Sequence, residues 1–224
     1  MEKVKKAKTK TTGSTRTQIQ EAYINFVLTE GKDPVSVYKF CVDNQWTEAE
    51  FYEHFSSTET IASSIWEDWL TTTITQLKAD EQFSSFTVRE KLLTFYFAFG
   101  EKLKLHRSYA LLTIKQNMGT PPRMATLNKA KKVFTNWLTE IIADGIVRDE
   151  IAKRPILDKR YPDLFWAHFL FFLQFWKKDD SKNFERTDVF TEKSVNLAFD
   201  LISKGAVDSA FDFAKYIFQQ NKFS

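Results

Sequence analysis

The 224-residue sequence has few of the residues that build turns, cross-links and metal sites. It contains six glycines, five prolines, one cysteine and three histidines. The scarcity of Gly and Pro argues against β-sandwiches and barrels, because those folds need many tight turns. A single cysteine, Cys41, excludes an intrachain disulfide framework and a cysteine-rich zinc site. We therefore interpret Cys41 as a small buried apolar residue.

Long apolar runs and enzyme motifs are also missing. The longest predominantly apolar stretch covers residues 164–176 and is interrupted by His168 and Gln174. A membrane-spanning helix needs about 20 apolar residues, so we interpret this stretch as a buried helix in a cytoplasmic protein with no membrane partner. The sequence has no Walker A loop and no GxGxxG, HExxH or GxSxG motif. We expect no enzyme, no cofactor and no bound metal.

Phenylalanine is abundant, at 22 residues, and 43% of the chain is hydrophobic. From residue 17 onward, apolar residues recur at spacings of three and four, as in Ile19, Tyr23 and Val27. This periodicity is typical of amphipathic helices, and no segment shows the sustained alternation of a strand. The sequence therefore predicts an all-α fold with an aromatic core.

Charge is distributed unevenly, although the net charge is only +3. Residues 1–16 contain six basic residues and one glutamate, whereas residues 17–60 contain two lysines and eight carboxylates. The first 16 residues have too few apolar side chains to pack, so we expect a disordered basic arm. Such an arm is either a solvated terminus or a segment that follows nucleic-acid phosphates.

Residues 36–55 (SVYKFCVDNQWTEAEFYEHF) contain two short predicted helices separated by about four residues. The second helix starts with a capping-box pattern, in which Thr47 caps the helix and Glu50 reaches back. Phe51 and Phe55 form an i, i+4 apolar pair that would hold this helix on its neighbours. The spacing is that of a helix-turn-helix, in which the second helix enters the DNA major groove.

The same segment resembles the DNA-binding motif of the tetracycline-repressor (TetR) family. That motif runs Thr, three residues, Ile-Ala, three residues, Gly-Val-Ser, four residues, Tyr, one residue, His-Phe. The matching positions in this sequence are Ser36, Phe40, Cys41, Trp46, Thr47, Tyr52, His54 and Phe55. Gln45 stands where the family has its turn glycine, and the second helix contains Glu48, Glu50 and Glu53.

The resemblance implies a homodimeric transcriptional regulator with three parts. These are a disordered arm (1–16), a helix-turn-helix domain (17–60) and a helical effector-binding and dimerisation domain (61–224). Its partners would be a pseudo-palindromic double-stranded DNA operator and a small apolar or aromatic effector. The alternative is a TetR-fold protein that has lost DNA binding, because its second helix is acidic. Such a protein would serve as a lipid-like ligand-binding or protein-interaction module.

The resemblance also implies three sets of site residues. The residues expected to face DNA are Lys39, Thr47, Glu48, Ala49, Tyr52 and His54. Those expected to line an effector pocket are Phe95, Tyr96, Phe99, Tyr109, Trp137 and His168. Those expected at a two-fold dimer interface are Phe165, Phe169, Phe172, Trp176, Val195, Phe199 and Ile202. For the pocket and dimer sets, ordinary core packing within one subunit is the alternative.

Overall fold

The computed structural model describes residues 15–117, 126–154 and 158–202, and within these ranges the chain is helical and contains no strand. The all-α prediction is confirmed. The helices in chain order are α1 (Thr15–Glu30), α2 (Val37–Asn44), α3 (Glu48–Tyr52), α4 (Thr58–Lys78), α5 (Glu81–Ser85), α6 (Val88–Leu105), α7 (Arg107–Asn117), α8 (Asn128–Val147), α9 (Tyr161–Lys178) and α10 (Glu185–Ile202).

The chain divides into two compact units, residues 1–65 and 66–224. Helix α4 contributes residues to both units, so the boundary expected after residue 60 falls within this helix. Most of the expected arm lies outside the described residues. Its last two residues, Thr15 and Arg16, form the start of α1.

The first unit is built around the ring of Phe40 in α2. Its centroid lies 6.2 Å from that of Phe26 in α1, 6.0 Å from that of Trp46 and 6.3 Å from that of Phe51 in α3. Cys41, next to Phe40, is buried as predicted. One aromatic side chain thus joins α1, α2 and α3, and it fixes the position of the short helix α3.

The second unit has its core where α6, α8 and α9 meet. Phe169 of α9 is fully buried, and its ring centroid lies 5.2 Å from that of Phe99 and 5.1 Å from that of Phe134. Helix α10 packs against α6 and α9. The apolar stretch 164–176 therefore belongs to α9, whose inner side is covered by neighbouring helices. Among the described helices, none has the length and hydrophobicity needed to cross a membrane.

Gly145 lies inside α8 rather than at its end, at a close approach between α8 and the start of α6. A β-carbon at this position would overlap Cγ2 of Val88 and would lie 3.3 Å from Cδ1 of Ile151. The absence of a side chain thus allows α8 to pack against Val88. By contrast, a β-carbon on Gly100 in α6 would meet nothing within 4 Å.

We expect Gly145→Ala to lower the free energy of unfolding by about 1–3 kcal/mol, because the added methyl group overpacks the contact with Val88. Gly100→Ala is the matched control, and it should raise stability by about 0.5–1 kcal/mol because alanine favours a helix interior. Urea unfolding of both variants measures the two effects. Equal stability of the two variants would contradict the packing role of Gly145.

Candidate functional site

The turn between α2 and α3 is closed by a left-handed residue, Gln45, with φ 62° and ψ 37°. The N–H of Gln45 donates to the carbonyl of Val42 (3.2 Å), and the N–H of Trp46 donates to that of Cys41 (3.0 Å). This is the bonding pattern of a Schellman motif, in which glycine is the usual left-handed residue. The backbone thus keeps the helix-turn-helix geometry although the turn glycine is replaced.

Gln45→Gly is expected to raise the free energy of unfolding by about 0.5–1 kcal/mol, because a left-handed conformation strains residues that carry a β-carbon. Val42→Gly, about one turn earlier in α2, is the control and should lower stability by about 0.5 kcal/mol. Thermal or urea unfolding gives both values. A destabilised Gln45→Gly variant would show that the glutamine side chain contributes more than its backbone strain costs.

The start of α3 is fixed by the predicted capping box, which is confirmed. The N–H of Glu50 donates to Thr47 Oγ1 (3.2 Å), and the N–H of Thr47 donates to Glu50 Oε2 (2.7 Å). The hydroxyl of Thr47 also donates to Glu50 Oε2 (2.8 Å). Hydrogen bonds from the Thr47 backbone and side chain lower the pKa of Glu50. Glu50 is therefore ionised and engaged within the protein.

The residues expected to face DNA are exposed, apart from His54, which is half-buried. Tyr52 leaves 54% of its surface exposed, and Glu48 and Ala49 are also open to solvent. Lys39 pairs with Asp43 of the same helix at 2.9 Å. The exposed side of α3 thus carries carboxylates and a tyrosine. Lys39, the one basic residue expected to face DNA, is already paired with Asp43.

The six residues expected to line a pocket pack against aromatic rings. Phe95 lies 5.7 Å from Phe99 and 5.0 Å from Trp137, measured between ring centroids. Tyr109 lies 5.9 Å from Trp69. With Tyr96 and His168 they form the aromatic centre of the second unit.

His168 joins three helices through its two ring nitrogens. Nδ1 lies 2.6 Å from the hydroxyl of Tyr96, and Nε2 lies 2.9 Å from Oγ of Ser194, which donates to the carbonyl of Thr191. All hydrogens find acceptors when Nε2 carries the proton and Nδ1 accepts from Tyr96. Burial lowers the pKa of His168 from 6.5 to about 4. The ring is therefore neutral near neutral pH.

We expect His168 to reduce stability as the pH falls. The unfolded chain takes up a proton near pH 6.5, whereas the folded chain does so only near pH 4. Between about pH 7.5 and about pH 5, this difference should remove about 2 kcal/mol of unfolding free energy. His168→Gln should lose this part of the pH dependence in urea unfolding. A variant with the same pH profile as the wild type would contradict the account.

The residues expected at the dimer interface lie inside the chain's own core. The buried ones are Phe165, Phe169, Phe172, Trp176, Val195 and Phe199. Ile202 is half-buried, and its carbonyl accepts a hydrogen bond from Nη1 of Arg154 (2.7 Å). A second subunit could not contact the buried side chains without unpacking this core. In the single chain, these residues hold α9 and α10 onto their own subunit, which is the alternative given for them, and their place at a dimer interface stays a prediction.

The exposed apolar side chains of α9 and α10 are different ones. Five of them are 50–60% exposed: Leu164, Phe171, Val189, Leu197 and Leu201. Phe190 joins the two helices, because its ring stacks on Phe175 (4.3 Å) and lies 5.3 Å from Phe171. We call the five exposed residues, together with Phe175 and Phe190, the α9–α10 patch. Exposed apolar patches of this kind mark interaction surfaces.

A cavity of about 320 Å³ opens elsewhere in the second unit. Its lining residues come from α4, α5, α6 and α8, and are Lys78, Phe83, Ser84, Lys91, Trp137, Glu140, Ile141 and Asp144. Lys78 pairs with Glu140 at 2.6 Å, and Lys91 pairs with Asp144 at 3.3 Å. Of the predicted pocket residues, only Trp137 is among these lining residues. We call this cavity the α4–α8 cleft.

Residues 91–217 match the family model described as "Tetracyclin repressor-like, C-terminal domain". The chain belongs to this family. It is similar in fold to a putative TetR-family regulator from Syntrophomonas wolfei, at 13% identity and a TM-score of 0.66, over 83% of this chain and 94% of the other. It is also similar to the fatty acid degradation regulator FadR from Bacillus halodurans, at 18% identity and a TM-score of 0.59, over 88% and 98%.

A third solved structure is a tetR-family regulatory protein from Rhodococcus RHA1, at 15% identity and a TM-score of 0.50, over 86% of this chain and 98% of the other. No curated protein compared matches the chain. At such identities the likeness shows the TetR-family fold, and the family consists of transcriptional regulators rather than enzymes. The resemblance drawn from the sequence is confirmed.

In the first unit, the sequence did not predict two features that lie near the helix-turn-helix: an exposed tyrosine in α2 and a contact between an arginine and an aromatic ring. Tyr38 of α2 is 65% exposed, and its i, i+4 spacing to exposed Val42 was the available signal. The guanidinium of Arg16 lies 4.9 Å from the ring centroid of Phe55, just after α3. No sequence pattern pointed to this contact, because it joins residues far apart in the chain.

Proposed function

We propose that this TetR-family chain is a homodimeric, DNA-binding transcriptional regulator that acts in the cytoplasm. The observation that carries this proposal is the α2–turn–α3 arrangement. Helix α3 is capped by Thr47 and anchored by the buried rings of Phe51 and Phe55, while Tyr52 stays exposed. A short second helix held in this way is the element that enters the major groove in helix-turn-helix proteins.

The basic residues that precede α1 compensate for the acidic character of α3. Five lysines lie within residues 1–14, and Arg16 is held beside Phe55 at the end of the α3 segment. The lysines of this segment can bind phosphates while α3 lies in the groove. Most of the affinity for DNA, and most of its salt dependence, would then come from these lysines.

The α9–α10 patch supports the dimer. It places exposed Phe171 and Leu197 on two adjacent helices, and a two-fold axis through such a surface buries the same residues of both subunits. In a C2 dimer, the two helix-turn-helix units match a pseudo-palindrome with half-sites about 34 Å apart. An effector bound to the second unit would favour one arrangement of the subunits and so change operator affinity.

One observation favours a second candidate function, a binding module that no longer contacts DNA. Glu48 in α3 and Glu53 at its C-cap are exposed, and Lys39 is neutralised by Asp43. Carboxylates repel phosphates, although a glutamate can accept a hydrogen bond from cytosine. In this alternative, the second unit would carry an apolar ligand or bind a protein.

Amide chemical-shift mapping separates the two functions. The ¹⁵N-labelled full-length protein is titrated with a 20-base-pair duplex of arbitrary sequence at about 50 mM salt, where phosphate contacts are strong. DNA binding through α3 predicts the largest shifts at Thr47, Ala49 and Tyr52, with few in α9 and α10. Saturating DNA that leaves residues 47–54 unshifted would contradict the proposal.

A further inference from the structure

The α4–α8 cleft combines an apolar floor with a polar rim. Phe83, Trp137 and Ile141 are each more than 90% buried and supply the floor. The rim carries the ion pair between Lys78 and Glu140, both of which are well exposed. Exposed ion pairs contribute little to stability, so this pair can separate at small cost when a molecule enters.

Lys91 places a buried ammonium group in the lining of the cleft. Its side chain is 8% exposed, and its Nζ makes one ion pair in the described chain, a contact of 3.3 Å with Asp144. An ammonium group has three hydrogen-bond donors, and burying a charge with few partners is costly. The buried Lys91 therefore has donor capacity that an incoming acceptor can use.

Asp144 does not depend on Lys91 for neutralisation. Arg148 also hydrogen-bonds to Asp144 and pairs with it, one helical turn along α8. Burial raises the pKa of Asp144, but the hydrogen bonds from Arg148 and Lys91 outweigh this effect and lower it. If a ligand binds Lys91, Asp144 therefore keeps its ion pair with Arg148 and stays ionised.

Trp137 supplies part of the apolar wall. Its ring lines the cleft, whereas its indole nitrogen is fully buried and is not exposed to the cleft. The donor that the lining offers to a ligand is therefore the ammonium group of Lys91. A charged donor in an apolar cleft points to a ligand that carries a negatively charged oxygen acceptor.

The volume limits the size of the ligand. A cavity of about 150 Å³ lined by apolar side chains accommodates benzene. The cleft, at about 320 Å³, is roughly twice as large. It therefore has room for one aromatic ring with a short side chain, and it lies at the lower end of the range for small-molecule sites.

We propose that the α4–α8 cleft binds a small monocarboxylate with a single aromatic ring. The carboxylate would be held by Nζ of Lys91, and the ring would pack on Phe83, Trp137 and Ile141. This inference rests on the proposed function, because it identifies the chemical class of the effector. The site differs from the aromatic core expected to form the pocket, which shares only Trp137 with it.

Isothermal titration calorimetry of the full-length protein without DNA tests this proposal. The probes are benzoate, phenylacetate and 3-phenylpropionate, each paired with its uncharged amide. At least one acid should bind with a Kd below about 1 mM and about tenfold more tightly than its amide, since only the acid forms a charge-assisted bond with Lys91. Lys91→Met should remove this preference, so that each acid binds no more tightly than its amide.

Lys131→Met is the control, because Lys131 also forms an ion pair within the second unit, with Asp163 at 2.7 Å, but does not line the cleft. It should bind like the wild type. Ser84→Trp changes an exposed residue of the rim, so it fills the cleft without altering the core, and it should abolish binding. It also serves as the test if Lys91→Met does not fold.

Three results would overturn the proposal: no acid binds, acids and amides bind equally, or acid binding persists in Ser84→Trp. Each is obtained without DNA. A protein that binds the acid but no operator would refute the regulatory function alone. A protein that binds an operator but no acid would refute the cleft assignment alone.

Discussion

Reversing the charge of the two glutamates at the ends of α3 should strengthen DNA binding by about a hundredfold at about 50 mM salt. Glu48→Lys with Glu53→Lys replaces two exposed carboxylates by ammonium groups. Each new phosphate contact is worth about tenfold in affinity at this salt concentration, and it steepens the salt dependence by about one counterion. Fluorescence anisotropy with a labelled duplex, over a series of salt concentrations, measures both quantities.

A matched control separates position from net charge. Glu81→Lys with Glu185→Lys makes the same change in net charge at exposed positions of the second unit. If α3 lies against DNA, this control pair should raise affinity only slightly. An equal gain from both pairs would mean that DNA is attracted by the overall charge and that α3 is not the contact face.

Phe171→Asp with Leu197→Asp should convert the dimer into a monomer. Both residues are 60% exposed and lie in the α9–α10 patch. Burying two unpaired carboxylates of each subunit across a two-fold interface is costly, and central apolar residues dominate such interfaces. We expect the dimer Kd to rise by at least about a hundredfold, as measured by sedimentation velocity over a range of protein concentrations.

Leu105→Asp provides the comparison, because Leu105 is an apolar residue, 77% exposed, at the end of α6 and outside the patch. This variant should dimerise like the wild type. Circular dichroism and urea unfolding check that the patch variant is folded. A folded patch variant that remains dimeric would place the interface elsewhere.

Local signals made the first unit predictable. A capping box, such as Thr47 with Glu50, involves neighbouring residues only, so the sequence pattern alone could predict it. The motif spacing also identified Gln45 as the residue at the turn, where φ is indeed positive. These features need no knowledge of the rest of the fold.

The orientation of α9 was not predictable in the same way. Its sequence is apolar on almost every side, so periodicity shows two stripes without showing which faces the core. The stripe containing Phe165 and Phe169 packs inside its own subunit, whereas the stripe containing Leu164 and Phe171 faces solvent. Packing against α6, α8 and α10 decides which stripe faces the core. That packing depends on contacts between residues far apart in the chain.

The α4–α8 cleft was missed because sequence patterns select aromatic residues for pockets. Lys91 follows Glu90 and carries no motif. The available signal was its helical spacing, because Val88 at i−3 and Phe95 at i+4 place it on the apolar side of α6. Its burial arises from the close packing of α6 and α8, which Gly145 permits. A buried charge beside a cavity becomes visible only in three dimensions.

The most direct test of the central claim is a selection of genomic DNA fragments by the purified protein at about 50 mM salt, with sequencing of the bound DNA. A DNA-binding dimer predicts enrichment of one pseudo-palindrome with half-sites about 34 Å apart. It also predicts that the monomeric Phe171→Asp, Leu197→Asp variant loses this enrichment. A folded dimer that enriches no sequence would contradict the claim and leave the ligand-binding module as the function.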